Sequence, residues 1–237
     1  MRGRPRAPVV LPADGPVRFP DPSLYDAQGL VAIGGDLRTE TLLAAYRAGI
    51  FPWYGEGYVP MWWSPDPRAL LDPEHLHVAR SLLRTFRRGG FELTWNRCFP
   101  RVMRECGRLR REGTWIIPEM VDAYTRLHRL GHVHSLEVWV VGELAAGVYG
   151  VQVGGLFAAE SMFHRATDMS KVALTALVRS LFAAGVRLFD VQFATAHLAS
   201  LGAFEVPRAE YLRRVAVAAE LPVDLRGLVP GVVASGR

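Results

Sequence analysis

A carboxylate and a carboxamide sit two residues apart in an otherwise apolar run, Leu188-Phe189-Asp190-Val191-Gln192-Phe193. The surrounding valine, leucine and phenylalanine predict a buried strand, fed by a helix that ends at Gly185. Side chains alternate along a strand, so Asp190 and Gln192 are expected on one side, roughly 6–7 Å apart along the backbone. Phe189, Val191 and Phe193 then face the other way. A buried carboxylate without a donor is costly, and it either shifts its pKa or finds a partner. A second acid, Glu160, also alternates with apolar neighbours in a predicted strand. Two acids and an amide on adjacent sheet segments favour a shared site for hydrogen bonding and proton handling. Each acid has a plainer reading as well: Asp190 caps a helix or pairs with an arginine, and Glu160 is an edge-strand charge.

The elements that must hold these groups belong to a chain of 237 residues, long enough for one substantial core or a core with a satellite domain. Half of the residues are hydrophobic, which excludes a disordered protein. No apolar run is long enough to span a bilayer, and the Arg/Pro-rich N-terminus lacks the apolar core of a signal peptide. Cys98 and Cys106 read as reduced core thiols of a cytoplasmic protein, with no disulfide or metal role. The net charge is +5, and Lys171 is the single lysine, the other cationic side chains being arginine. A lone ammonium among arginines hints that an ammonium is wanted there.

In chain order, residues 1–20 predict an extended or flexible lead-in. Thr39 is placed as the cap of a helix carrying Leu42, Leu43 and Tyr46 and closed by Gly49. Three tryptophans and four prolines between Gly49 and Arg68 exclude regular helix and form a rigid aromatic wall, facing either another domain or a ligand. Residues 75–88 predict an amphipathic helix with Ala79, Leu82, Leu83 and Phe86 on one face. Arg80, Arg84, Arg87 and Arg88 fall on another, without an acid to offset their repulsion, which favours a phosphate-binding surface. The basic character continues through Arg97, Arg101, Arg104, Arg108, Arg110 and Arg111. Pro118 opens a helix with Met120, Val121, Tyr124 and Leu127. The period then changes to two: strands are predicted over 135–141, 144–153 and 156–163, then a helix from about 168 to Gly185 and the strand with Asp190. The pattern is β-β-β-α-β, an α+β class with helices on a mixed sheet.

Seven co-linear segments resemble the leucyl/phenylalanyl-tRNA–protein transferase family. They are Gly29-Leu-Val-Ala-Ile-Gly-Gly-Asp36, Gly49-Ile-Phe-Pro-Trp-Tyr54, Trp62-Trp-Ser-Pro-Asp-Pro-Arg68 and Glu112-Gly-Thr-Trp-Ile116. Further on come His134-Ser-Leu-Glu-Val-Trp139, Glu160-Ser-Met-Phe163 with Ser170-Lys171, and Asp190 to Gln192 with Ser200-Leu-Gly-Ala203. The resemblance implies a small N-terminal domain, residues 1–66, and an acetyltransferase-like (GNAT) catalytic domain, residues 67–215. Residues 216–237 are set apart as a tail. It further implies transfer of Leu, Phe or Met from aminoacyl-tRNA to an N-terminal Arg or Lys of a protein marked for degradation, by a cytoplasmic monomer. Asp190, Gln192 and Glu160 carry over as the reaction centre. Trp53, Trp115 and Met162 carry over as the aminoacyl side-chain pocket, to which Val148, Phe189 and Val191 are added. Tyr46, Tyr124, Ser161 and Lys171 are assigned as supporting residues. Two positions depart from the family pattern: Val191 replaces its usual cysteine, which rules out thiol catalysis there, and His164 replaces its usual serine.

An aminoacyl-tRNA ester is already activated, so the reaction implied needs neither ATP nor metal, and no cofactor is expected. The α-amine attacks the ester carbonyl and the ribose hydroxyl leaves. A carboxamide is a very weak base, so Gln192 reads as a positioner, with Asp190 and Glu160 orienting the amine and taking its proton. An acyl-CoA-dependent N-acetyltransferase is the alternative. It wants a glycine-rich turn for pyrophosphate, whereas His164–Ser170 holds no glycine. A non-enzymatic RNA-binding module would leave Asp190, Gln192 and Glu160 unexplained. Reversing Arg80 and Arg84 to Glu is expected to weaken tRNA binding and flatten its dependence on salt; an unchanged slope in a salt titration would assign that face to bulk solvent.

Overall fold

The computed structural model describes residues 6–108 and 114–231. Arg110, Arg111 and the Glu112-Gly113 pair lie outside the described residues. In chain order the elements are β1 (Val9–Leu11), β2 (Leu30–Gly34), α1 (Thr39–Arg47), β3 (Phe51–Pro52), β4 (Met61–Trp63) and β5 (Arg68–Leu70). Then come α2 (Arg80–Arg88), β6 (Glu92–Trp95), α3 (Phe99–Arg108), α4 (Pro118–Arg129), β7 (Val133–Val140), β8 (Glu143–Val153) and β9 (Leu156–His164). The chain closes with α5 (Met169–Ala183), β10 (Leu188–Gln192), α6 (Ala196–Ser200), β11 (Phe204–Val206) and α7 (Arg208–Ala218). The class is α+β, as the pattern predicts.

Two sheets result. One has four strands in the order β1-β2-β4-β3, and the other has seven in the order β11-β5-β10-β9-β8-β7-β6. Strands β6 to β9 are joined antiparallel, and α5 is the crossover that lets β10 pair parallel with β9. Helix α5 buries Leu174, Leu177, Val178 and Leu181 on one face of the larger sheet. On the other face, Phe99, Met120, Tyr124 and Tyr149 share a continuous core with Val31, Leu42 and Trp62 of the N-terminal segment. The smaller sheet is therefore fused to the larger one through apolar contact.

Several local expectations are corrected. Of the two readings of the lead-in, Val9–Leu11 takes the extended one, with the added feature that β1 pairs parallel with β2 from Val9↔Ala32 to Leu11↔Gly34. A three-residue edge strand with one buried residue leaves almost no period to read. Arg38, not Thr39, occupies the N-cap of α1, and Asp36 supports that end by accepting from the Arg38 amide at 2.9 Å and the Thr41 hydroxyl at 2.7 Å. Helix α2 begins at Arg80 rather than residue 75, and Ala79 is exposed. The segment after Ala218 is no free tail: Leu225 is fully buried, and its carbonyl accepts the Trp95 indole N–H at 2.7 Å.

Gly150 on β8 shows how tightly β9 is held. A Cβ there would lie 2.4 Å from the Ala158 carbonyl oxygen and 2.4 Å from the Phe157 ring. Both belong to β9 and neither is the loose end of a flexible side chain. Gly150→Ala is expected to cost about 1–3 kcal/mol, the range for overpacking a well-filled interior. A urea midpoint equal to that of the parent protein would show that β9 yields without cost.

Candidate active site

Strands β9 and β10 pair only from Leu188↔Leu156 to Asp190↔Ala158 and then part. Each strand is bulged where they separate. Tyr149 pairs with Ser161 and Gly150 with Ala159, which leaves Glu160 as the extra residue of β9. Asp190 pairs with Leu70 and Gln192 with Ala69, which leaves Val191 as the extra residue of β10. Bulges re-aim side chains and interrupt pairing, and here they open a wedge. A cavity of about 330 Å³ is lined by both strand ends and by the Phe51-Pro52-Trp53 segment and Trp115. Val148 of β8, Leu174 of α5 and Leu198 of α6 extend its apolar lining.

Asp190 is completely buried but does not line this cavity. Its Oδ1 accepts from Arg68 Nε at 2.8 Å, and its Oδ2 accepts from Arg68 Nη2 at 2.6 Å and from the Tyr211 hydroxyl at 2.9 Å. Arg68 is equally buried, and it lies over the rings of Phe51 at 4.7 Å and Tyr211 at 4.4 Å. Burial alone disfavours the guanidinium charge; the adjacent carboxylate more than offsets this and holds the Arg68 pKa above its ordinary value. The pairing with an arginine, one of the two plainer readings of Asp190, is what the geometry contains.

The same Oδ1 accepts the backbone N–H of Gln192 at 2.9 Å. Gln192 has a φ of 58°, and the next amide, that of Phe193, bonds back to the Val191 carbonyl at 2.7 Å. A non-glycine residue in the left-handed region is strained and needs such anchoring. Alternation holds from Leu188 to Val191 and fails here, so the shared strand face expected for Asp190 and Gln192 is not formed. Gln192 lines the cavity with its Nε2 buried and without a partner, whereas Asp190 stands behind it.

Glu160 reaches the cavity from β9. Its Oε1 accepts the Tyr46 hydroxyl at 2.7 Å, and the Tyr46 hydroxyl oxygen lies 2.6 Å from the Tyr124 hydroxyl oxygen. Burial pushes the Glu160 carboxyl up to about 8; the Tyr46 bond and the Arg68 charge pull it down, and Asp190 pushes it further up. Burial also raises both tyrosine hydroxyls well above their ordinary values, so they remain neutral donors.

Of the residues expected at the side-chain pocket, Trp53, Trp115, Met162, Val148 and Val191 line the cavity. Phe189 does not; it stacks on Phe157, with ring centroids 5.7 Å apart, in the core beneath α5. Ser161 is at the cavity, and Tyr46 and Tyr124 stand behind Glu160. Lys171 does not line it and pairs with Asp168 at 3.3 Å. Arg80, Arg84, Arg87 and Arg88 are exposed on α2, and none forms an ion pair among the described residues. Arg68, Tyr211 and His197 were not singled out as site residues. Arg68 was one arginine among many, and the five-residue α6 that carries His197 has no period to detect. Among the described residues no cluster of His, Cys, Asp and Glu could hold a metal, and no helix is long and apolar enough to cross a membrane.

Comparison with known proteins gives two adjoining family-model matches. Residues 70–216 match the leucyl/phenylalanyl-tRNA protein transferase model, and residues 35–66 match the N-terminal domain model of the same description. A protein of that name from Anaeromyxobacter sp. (strain Fw109-5) is 56% identical over 214 residues, covering 89% of this chain and 91% of its own. One from Solidesulfovibrio magneticus is 50% identical, covering 90% and 87%, and one from Nitrosomonas europaea is 47% identical, covering 86% and 88%. Among solved structures, a GCN5-related N-acetyltransferase from Kribbella flavida overlays 70% of this chain and 59% of its own, with a TM-score of 0.39 and 12% identity.

The raised Glu160 carboxyl predicts a pH signature in stability. Its ordinary value is 4.5, so between about 4.5 and 8 the folded protein keeps a proton that the unfolded chain has released. Stability from this group therefore falls as pH rises through that window and levels off above it. Glu160→Gln keeps an acceptor for Tyr46 and removes the titration. The melting-temperature difference, variant minus parent, is expected to grow from pH 5 to 8 and then flatten. A difference independent of pH would place the titration elsewhere.

Proposed function

Because the chain belongs to the leucyl/phenylalanyl-tRNA–protein transferase family, we propose that the β9–β10 cavity takes the Leu, Phe or Met side chain of an aminoacyl-tRNA, with Glu160 as the proton acceptor for an incoming α-amine. The observation that carries this reading is the Glu160 carboxyl, at about 8, held by Tyr46 at the edge of an apolar cavity. An α-amino group titrates at about 7.7–8.0, so a proton passes between the two at little energetic cost. A cavity of about 330 Å³ walled by Trp53, Trp115, Val148, Met162 and Val191 suits an apolar or aromatic side chain without a branch at Cβ, by volume and desolvation.

The neutral amine attacks the ester carbonyl carbon, and the carbonyl π pair moves onto oxygen. Collapse of this intermediate forms the amide and expels the ribose oxygen. Glu160 takes one proton from the amine nitrogen and returns it to that ribose oxygen, so its charge is unchanged over the cycle. Asp190 has both oxygens occupied by Arg68, Tyr211 and the Gln192 amide. Its part in this scheme is to hold Gln192, and Gln192 positions the substrates by hydrogen bonding. Exposed arginines on α2 take tRNA phosphates through charge, a contact that fixes no sequence. Acceptors begin with Arg or Lys, the product is directed to degradation, and the enzyme is a cytoplasmic monomer without a cofactor. These finer points rest on the family resemblance.

The test is transfer of labelled Phe, Leu and Met from their tRNAs to peptides beginning with Arg, Lys, Ala or Asp. Transfer is expected to Arg and Lys alone. Glu160→Gln is expected to lower kcat by about 10²–10⁴-fold, the usual worth of a positioned acid–base group. A variant with parental kcat would remove Glu160 from the proton path. Equal transfer to Asp-initiated peptides would overturn the acceptor assignment.

A further inference from the structure

Among the polar side chains lining the cavity, two carry a buried nitrogen with no hydrogen-bond partner: Nε2 of Gln192 and Nε2 of His197. Leaving a buried donor unpaired costs on the order of 1–3 kcal/mol, so such groups in a cavity mark where a ligand atom belongs. His197 stands among apolar neighbours there, including Leu174, Leu198 and Met162. It is also firmly placed. Thr195 Oγ1 accepts the Leu198 amide at 3.2 Å, and the His197 carbonyl accepts the Ser200 hydroxyl at 2.7 Å, which secures the short α6 at both ends. Burial, with Lys171 and His164 nearby, keeps the ring below its ordinary pKa, which favours its neutral form.

We infer that His197 is a substrate-contacting residue whose Nε2–H, together with the Gln192 carboxamide N–H, hydrogen-bonds the ester carbonyl oxygen as negative charge develops on it. Acyl transfer needs a proton acceptor on the amine side and donors on the oxyanion side. In this proposal Glu160 supplies the first, and the two buried, unpaired nitrogens supply the second. In the step, the amine lone pair forms the C–N bond and the carbonyl π pair becomes the oxyanion that the donors stabilise. Return of that pair breaks the C–O bond to ribose. His197 gives up no proton, so a neutral ring suffices. The inference rests on aminoacyl transfer itself and not on which group takes the amine proton.

Single-turnover transfer of Phe from Phe-tRNA to an Arg-initiated peptide tests it, with parental transfer in the same assay showing that the reaction itself occurs. His197→Leu fills the volume without a donor, and His197→Gln restores an N–H near the Nε2 position. The leucine variant is expected to lose about 10²-fold in the saturated rate, the worth of one oxyanion donor, with KM for the peptide unchanged. Its Tm should not fall, because an unpaired buried nitrogen has been removed. The glutamine variant is expected to recover most of the lost rate. If the leucine variant melts lower, His197→Met, similar in length and equally donor-free, replaces it. A saturated rate within three-fold of the parent, a loss confined to KM, or a change only in Leu-against-Phe preference would overturn the assignment.

Discussion

The Arg68–Asp190 ion pair is the constraint on which the rest of the site depends. Two charges fully removed from water gain little net stability, because the desolvation cost consumes most of their attraction. The pair is therefore better understood through what it fixes. Arg68 belongs to β5, Asp190 to β10 and Tyr211 to α7, and the guanidinium also lies over Phe51, whose ring lines the cavity. The bidentate contact thus ties β5 to β10 within the larger sheet, and the same guanidinium, lying over Phe51 of β3, joins them to the aromatic wall of the smaller one. Its second consequence is local. With Asp190 Oδ1 committed to the Gln192 amide, the chain leaves the strand at a set angle, and a left-handed glutamine is held at the cavity.

That arrangement also shapes the electrostatics of Glu160. Asp190 raises its pKa and Arg68 lowers it, so the pair acts on Glu160 as opposed charges whose effects partly cancel. What remains is set chiefly by burial, which favours the neutral acid, and by the Tyr46 hydroxyl, which favours the carboxylate. A lone buried anion at the position of Asp190 would drive Glu160 to stay protonated, and a lone cation at Arg68 would lock it ionised. Neutralising the charge behind the cavity leaves Glu160 able to change state near neutrality, as its proposed role of proton acceptor for an amine requires.

The hairpins β7–β8–β9 and the helix α5 were legible because apolar runs of strand and helix length are bounded by glycines. Gly142, Gly154 and Gly185 all take positive φ. Asp190, Gln192 and Glu160 were legible as polar residues in apolar strands. What was not legible is what each one faces. Period-two reasoning assumes an unbroken ladder, and both bulges fall within the stretches that matter, at Glu160 and at Val191. An inserted residue reverses the inside–outside assignment beyond it without changing composition. Phe189 kept its expected face and for that reason belongs to the core beneath α5, while Val191 reaches the cavity. Arg68 could not be separated from the other arginines, because burial and a partner 122 positions away in sequence are tertiary facts.

The wedge between β9 and β10 ties these observations together. Two parallel strands that part after three paired residues leave backbone groups without a ladder, which is unfavourable unless something occupies the gap. Here side chains converge on it from β3 and the adjoining Trp53, from Trp115 and from α6. The gap is thus apolar along most of its lining and polar at Glu160, Gln192 and His197, the groups to which the proposed reaction assigns the ester and the amine. Strand separation, ion pair and left-handed glutamine are parts of one solution. The sheet is opened between β9 and β10, and the groups exposed by opening it are those that the proposed acyl transfer would use.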